Sequence, residues 1–168
     1  MLPVTTFVFV RHAMTTGGPG DTGLSLEGIE LAKDVAKELS LKHATYVFSS
    51  PLHRAVQTAE AIALVLGLEL RVDDRLRERA NWGDVEDETW EEFLFRWERV
   101  DTEKTRARLA AFVDDIAGRY PHATIIAVTH GGIVGDYLGG HQDWPHCGIT
   151  ELDVLRDALA RAFAAAAA

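Results

Sequence analysis

Residues 6–16 read Thr6-Phe7-Val8-Phe9-Val10-Arg11-His12-Ala13-Met14-Thr15-Thr16. The uncharged apolar run from Phe7 to Val10 suits a buried strand. It leads straight into a permanent cation and an imidazole. Open α/β sheets place ligand crevices beyond the carboxyl ends of their strands. Arginine grips phosphate bidentately and keeps its charge there, and histidine is a nucleophile or proton carrier near neutral pH. Taken alone, the pair also suits a solvated loop start. Matching chemistry elsewhere in the chain decides between the two readings.

Working outward, strand and helix signals alternate. Ser25 can cap a helix whose apolar positions Leu26, Ile29, Ala32, Val35, Ala36 and Leu39 fall at helical spacing, although Gly28 stands where Glu or Gln would complete a capping box. Tyr46-Val47-Phe48 predicts a short buried strand. Pro51 after Ser50 predicts a capped helix that runs to about Leu66 and stops at Gly67. Leu68 to Val72 alternates as a strand does, and residues 73–87 read as irregular. Helices are expected from about Thr89 to Val100 and from Thr102 to about Ala117, with Gly118 as the stop. Thr124 to Thr129 predicts a buried strand, His130-Gly131-Gly132 opens a helix through Leu138, residues 139–148 form a loop, and Thr150 to Leu155 is a last strand. The alanine-rich end, 162–168, reads as a helical or frayed tail. No repeat or linker interrupts the pattern. It predicts a single α/β domain, 1–168, built as a three-layer α/β/α sandwich around a mostly parallel sheet.

Bulk properties narrow the function. The chain has 168 residues and a net charge of −9, with no basic stripe of the kind a nucleic-acid binder carries. Nine acidic residues fall between Asp84 and Glu103 against only Arg96 and Arg99, so this segment alone carries −7. A single cysteine, Cys147, excludes an intrachain disulfide framework. The amino-terminal stretch has no basic n-region and no apolar run long enough to span a membrane, so no membrane partner and a cytoplasmic location are expected.

Three strand ends carry related chemistry: Arg11-His12 after the first, Ser49-Ser50-Pro51-Leu52-His53-Arg54 after the second, and Thr129-His130-Gly131-Gly132 after the Ile125–Val128 run. Helix amino-termini there, Gly131 included, supply fixed backbone donors for an anion, and the paired glycines permit close approach. A fourth position, Glu78 in Leu76-Arg77-Glu78-Arg79, follows a strand on the irregular segment. The blocks Val10 to Thr15, Ser49 to Ala59 (with Arg54-Ala55-Val56-Gln57-Thr58-Ala59) and Val128 to Gly132 resemble, in order, the three signature blocks of the histidine phosphatase superfamily, also called phosphoglycerate mutase-like.

That resemblance implies a site at the strand carboxyl ends and a role for each matching residue. His12 would attack phosphorus. Arg11, Arg54 and a protonated His130 would grip the equatorial oxygens. Glu78 would protonate the leaving oxygen and then activate water. No metal or other cofactor is called for. There are departures. Ala13 replaces the usual glycine, Gly18 stands where many members have an asparagine, so Thr15 or Thr16 would contact phosphate instead, and Gly83 lies one residue later than the family spacing from the acid. Asp84 and Glu86 therefore stay open as alternatives to Glu78. His141, His146 and Cys147 match no standard zinc spacing. Residues from about 79 to 103 fall where relatives carry a variable cap. Trp82, Trp90, Phe93, Phe95 and Trp97 there are read either as a solvated helix with an aromatic core face, or as a wall that shapes leaving-group preference and disfavours multiply anionic substrates.

The expected function is metal-independent hydrolysis of small phosphomonoesters through phosphohistidine on His12, by an enzyme of the histidine acid phosphatase type. The alternatives are a phosphoglycerate mutase-type phosphotransferase and a catalytically silent phosphate-binding module. Only 51 residues separate Glu78 from His130, little room for the extended cap of a mutase. The sequence leaves the natural substrate and a homodimer open.

Overall fold

The computed structural model describes residues 3–140 and 144–155. Its centre is a five-stranded sheet of order β3-β2-β4-β1-β5, made of β1 (Val4–Arg11), β2 (Tyr46–Ser49), β3 (Leu70–Val72), β4 (Thr124–Thr129) and β5 (Ile149–Leu155). All neighbours pair in parallel except β5, which runs antiparallel along β1 from Val4↔Leu155 to Val10↔Ile149. Parallel pairing requires crossovers, and the helices supply them.

Period-two alternation sorts the strand residues between two helical layers. Val8, Val10, Val47, Ile126 and Val128 face α1 (Leu26–Leu39) and α2 (His53–Leu66). Phe7, Phe9, Phe48, Ile125 and Ala127 face α4 (Thr102–Arg119) and α5 (Gly131–Leu138). The result is the three-layer α/β/α arrangement. The short helix α3 (Trp90–Glu98) stands apart from the layers, beside the carboxyl ends of the strands.

Several local expectations need correction. Ser25 does cap α1, accepting from Gly28 N, but a side chain at 28 is excluded because a Cβ there would lie 2.0 Å from the Met14 carbonyl oxygen. Close approach of the β1–α1 loop has displaced the capping-box glutamate. Helix α2 begins at His53 rather than Pro51. Ser50 Oγ accepts from Leu52 N instead of capping the helix, and Asp21 Oδ1 accepts from His53 N. Strand β3 starts at Leu70, two residues later than expected. Helix α4 runs through Gly118 to Arg119, since apolar packing of Val113, Ile116 and Ala117 carries it past that glycine. A capping box between Thr89 and Glu92 opens α3. His141 and the alanine-rich tail lie outside the described residues. No helix among the described residues is long and apolar enough to cross a membrane.

Candidate active site

Strands β2, β4 and β1 are adjacent, and their registers bring Ser49 beside Val128 and Arg11 beside Thr129. Their carboxyl ends therefore release Ser50, His130 and His12 into one region. His12 N donates to Thr129 O, which fixes the nucleophile candidate one residue beyond β1. Arg54 reaches the same place from the first turn of α2. Of these, His12 and Arg54 border a cavity of about 450 Å³, together with Arg11, Thr15 and Glu78 and with His146 and an aromatic group on its other walls; Ser50 and His130 are fully buried and do not line it.

The imidazole of His12 has a defined tautomer. Nδ1 lies 2.8 Å from the Ala13 carbonyl, which can only accept, so Nδ1 carries the proton. Nε2 is left with its lone pair, and Arg54 Nε–H donates to it at 3.2 Å. Burial first, and the Arg54 charge second, hold the His12 pKa down to about 3. The ring is thus neutral and nucleophilic across the physiological range. Arg54 also donates through Nη1 to Asn81 Oδ1 at 2.9 Å. Its carbonyl accepts from Thr58 Oγ1, which in turn accepts from Ala13 N. The Gln57-Thr58 pair of the second block accordingly stitches α2 to the loop after β1, with Gln57 Oε1 accepting from Leu24 N.

His130 is the N-cap residue of α5 and is fully buried. Its Nε2 lies 2.7 Å from Ser50 Oγ, and its ring centre stands 5.1 Å from that of His12. Burial and then the neighbouring His12 and Arg54 push its pKa well below the usual histidine value. Without an anion beside it, these effects favour the neutral ring over the protonated one that the resemblance implies. His130 Nδ1 and Arg11 Nε are both buried without a hydrogen-bond partner among the described residues, the kind of cost a bound anion relieves. Arg11 Nη1 donates to the Trp144 carbonyl.

Glu78 is the acid that reaches the cavity. Oε1 accepts from Arg79 N and Ile133 N at 2.8 and 2.9 Å, and Oε2 accepts from Gly132 N at 3.2 Å. The carboxyl thereby caps α5. Burial raises its pKa even against these backbone donors, favouring the protonated form an acid catalyst needs. Arg108 of α4 donates to the Glu78 carbonyl, and Arg79 forms a buried ion pair with Asp136 of α5 at 3.0 Å. The alternatives are differently employed. Asp84 binds Asn81 and pairs with Arg77, and Glu86 is exposed on the outer side of the loop, away from this cavity. Position 83 has a local reason to be glycine. With φ at +98°, it meets Gly20 so closely that a Cβ would lie 2.3 Å from Gly20 N.

Thr15 lines the cavity, as does Gly18. Gly131 does not; it lies beside the Arg11 stem, where a Cβ added at 131 would come 3.8 Å from Cδ and Nε. Asn81, Ser50 and His146 were not singled out as site residues by the sequence reading. His146 faces His12 with ring centres 5.5 Å apart. Ser50 and Thr58 sit inside the second block, so their positions carried a signal. Asn81 and His146 arrive through irregular loops and had none. Among the described residues no group of three His, Cys, Asp or Glu side chains is arranged to hold a metal ion.

With this geometry in hand, comparison with known proteins defines the class. The family model of the histidine phosphatase superfamily (branch 1) matches residues 7–157. Phosphoserine phosphatase 1 of Hydrogenobacter thermophilus is 30% identical over 146 residues, covering 73% of this chain and 69% of that protein. Phosphoglycerate mutase-like protein 4 of Arabidopsis thaliana is 30% identical over 154 residues, covering 76% and 66% respectively. The structure of a mycobacterial glucosyl-3-phosphoglycerate phosphatase complexed with VO3 shares the fold, with a TM-score of 0.72 and 23% identity over 88% of this chain and 90% of that one. The chain belongs to the histidine phosphatase superfamily. It is a phosphatase of that superfamily.

Proposed function

We propose that the enzyme hydrolyses small phosphomonoesters in the manner of a histidine acid phosphatase, in two displacements at His12. The observation that carries the assignment is the fixed tautomer of His12: its proton is held on Nδ1 by Ala13, and its Nε2 lone pair is presented beside the buried Arg54. In the first displacement Nε2 forms a bond to phosphorus as the ester P–O bond breaks, and the Glu78 carboxyl gives its proton to the departing alkoxide. In the second, water attacks the phosphohistidine, Glu78 takes the water proton, and phosphate leaves with Nε2 restored. Arg11 and Arg54 stabilise the equatorial oxygens, and His130 joins them as the phosphate dianion draws a proton onto its ring. Thr15 contributes a hydroxyl, and Gly131 keeps the amino-terminus of α5 close to Arg11.

The segment 79–103 acts as the cap of a single domain. Its brevity supports net hydrolysis over the re-transfer of a mutase. The lone cysteine, Cys147, suits the cytoplasm.

The test is His12→Ala beside the wild type. Wild-type enzyme quenched at alkaline pH during turnover of p-nitrophenyl phosphate should yield a phosphorylated peptide containing His12, and the variant should yield neither this peptide nor product. Equal turnover by the two proteins sinks the assignment.

A further inference from the structure

The walls of the cavity beyond the phosphate-gripping end are aromatic. Trp82, Trp90, Phe93 and Trp97 all line it, and their rings form a continuous chain: 5.0 Å between the centres of Trp82 and Trp90, 5.3 Å between Trp90 and Phe93, 5.7 Å between Phe93 and Trp97. This chain begins at the acid. A Cβ built on Gly132 would lie 2.6 Å from both Glu78 Oε1 and a ring carbon of Trp97, so the carboxyl that serves the leaving oxygen and the first indole both press on Gly132. Further along the chain Trp90 is 47% exposed. A large apolar face left open inside a polar cavity is unusual unless something covers it. The structure assigns it an occupant: the leaving group of the substrate.

Charge narrows the occupant further. Among the described residues, Arg11 and Arg54 are the only arginines lining the cavity, no lysine lines it, and both arginines lie at the phosphate end. A carboxylate on the leaving group would therefore meet, beyond the phosphate end, indole and phenyl faces with no lysine or arginine side chain among them. Burying a carboxylate without a cation or donor is costly, whereas a flat ring gains area and edge-to-face contact there. Building on the phosphatase reading above, we propose that this site selects phosphomonoesters whose alcohol carries an uncharged aromatic ring near the ester oxygen, and discriminates against esters with an adjacent carboxylate.

Non-hydrolysable phosphonates separate this proposal from the catalytic one. Calorimetric binding would compare benzylphosphonate, ethylphosphonate and 3-phosphonopropionate, which share one head group. Benzylphosphonate should bind roughly tenfold tighter than ethylphosphonate, the upper end of what an aromatic contact contributes. The carboxylate compound should bind no tighter than ethylphosphonate. Turnover should follow the same order for 2-phenylethyl phosphate against butyl phosphate, two alkyl esters chosen so that leaving-group reactivity does not enter. In Trp90→Ala, and in Trp90→Leu as a second variant that keeps an apolar side chain without the ring, the benzyl-to-ethyl ratio should fall below about threefold, the loss of most of one aromatic contact. Tightest binding of 3-phosphonopropionate, or an unchanged ratio in both variants, overturns the inference while leaving hydrolysis at His12 intact. Absence of turnover for every ester would instead remove the catalytic reading, and the phosphonate ratios would still report on the wall.

Discussion

Glu78 is the residue whose environment says most about catalysis. Its two oxygens accept three backbone N–H bonds at the start of α5, yet burial keeps its affinity for a proton raised. A carboxyl so placed is needed when the departing alkoxide is a strong base and dispensable when it is not. Glu78→Gln should therefore lower kcat by about 10²–10⁴ for an alkyl phosphate and by about tenfold or less for p-nitrophenyl phosphate. Steady-state kinetics on the two esters measures the split, and equal losses would argue that Glu78 serves only as a helix cap. Arg11, His12, Arg54 and His130 were legible in sequence because each sits at or just past a strand end, inside a contiguous block. Glu78 was ambiguous because its spacing to the following glycine differs, and the contact of Gly83 with Gly20 explains the glycine but not the spacing.

At the scale of elements, the acid is positioned by packing between helices. Arg79 follows Glu78 and is clamped to Asp136 of α5, with both side chains almost completely buried at 5% and 0% exposure. Arg108 of α4 holds the Glu78 carbonyl from the other side. Asp136→Ala would remove the carboxylate partner of a buried guanidinium, leaving it neutral acceptors such as Val100 O and Thr102 Oγ1. It should cost about 3–5 kcal/mol of stability, read as a lower midpoint in urea, and should lower kcat with it because Glu78 moves with Arg79. A destabilisation of under about 1 kcal/mol, the value of a surface pair, would show that the ion pair is solvated. The sequence disclosed the helices themselves through their apolar spacing, but not this pair, since neither residue belongs to a periodic pattern. The same holds for the amino-terminus of α2. Sequence pointed to Ser50 and Pro51, and the cap comes from Asp21 across the loop.

For the whole molecule, burying two neutral histidines sets the response to acid. The folded pKa of His12 is about 3 against an ordinary 6.5, and that of His130 is displaced the same way. Between the folded and unfolded values the unfolded chain binds more protons, so stability rises with pH through this window and is fully present above about pH 6.5. Falling pH should remove about 1.4 kcal/mol per pH unit for each such histidine. Glu78, raised in the fold, acts in the opposite sense, so the informative quantity is a difference. Urea unfolding of wild type and His12→Gln from pH 7 to 4 should show the variant losing less, by about one histidine's slope. Parallel curves would place a charged ring in the native state.

Helix α3 is fastened differently from the rest. A capping box and the Arg96–Glu88 pair hold it locally, Trp97 packs it beside Gly132 and Arg79, and its hydrogen-bonded link to the phosphate grip runs through Arg96 to the Asn81 carbonyl and from the Asn81 side chain to Arg54. Bond-making residues are dispersed over three strand ends, while three of the four aromatic rings share this nine-residue helix. Divergence between descendants of such a chain can then proceed by rewriting one short cassette. Substrate range becomes an evolvable trait, inherited separately from the reaction.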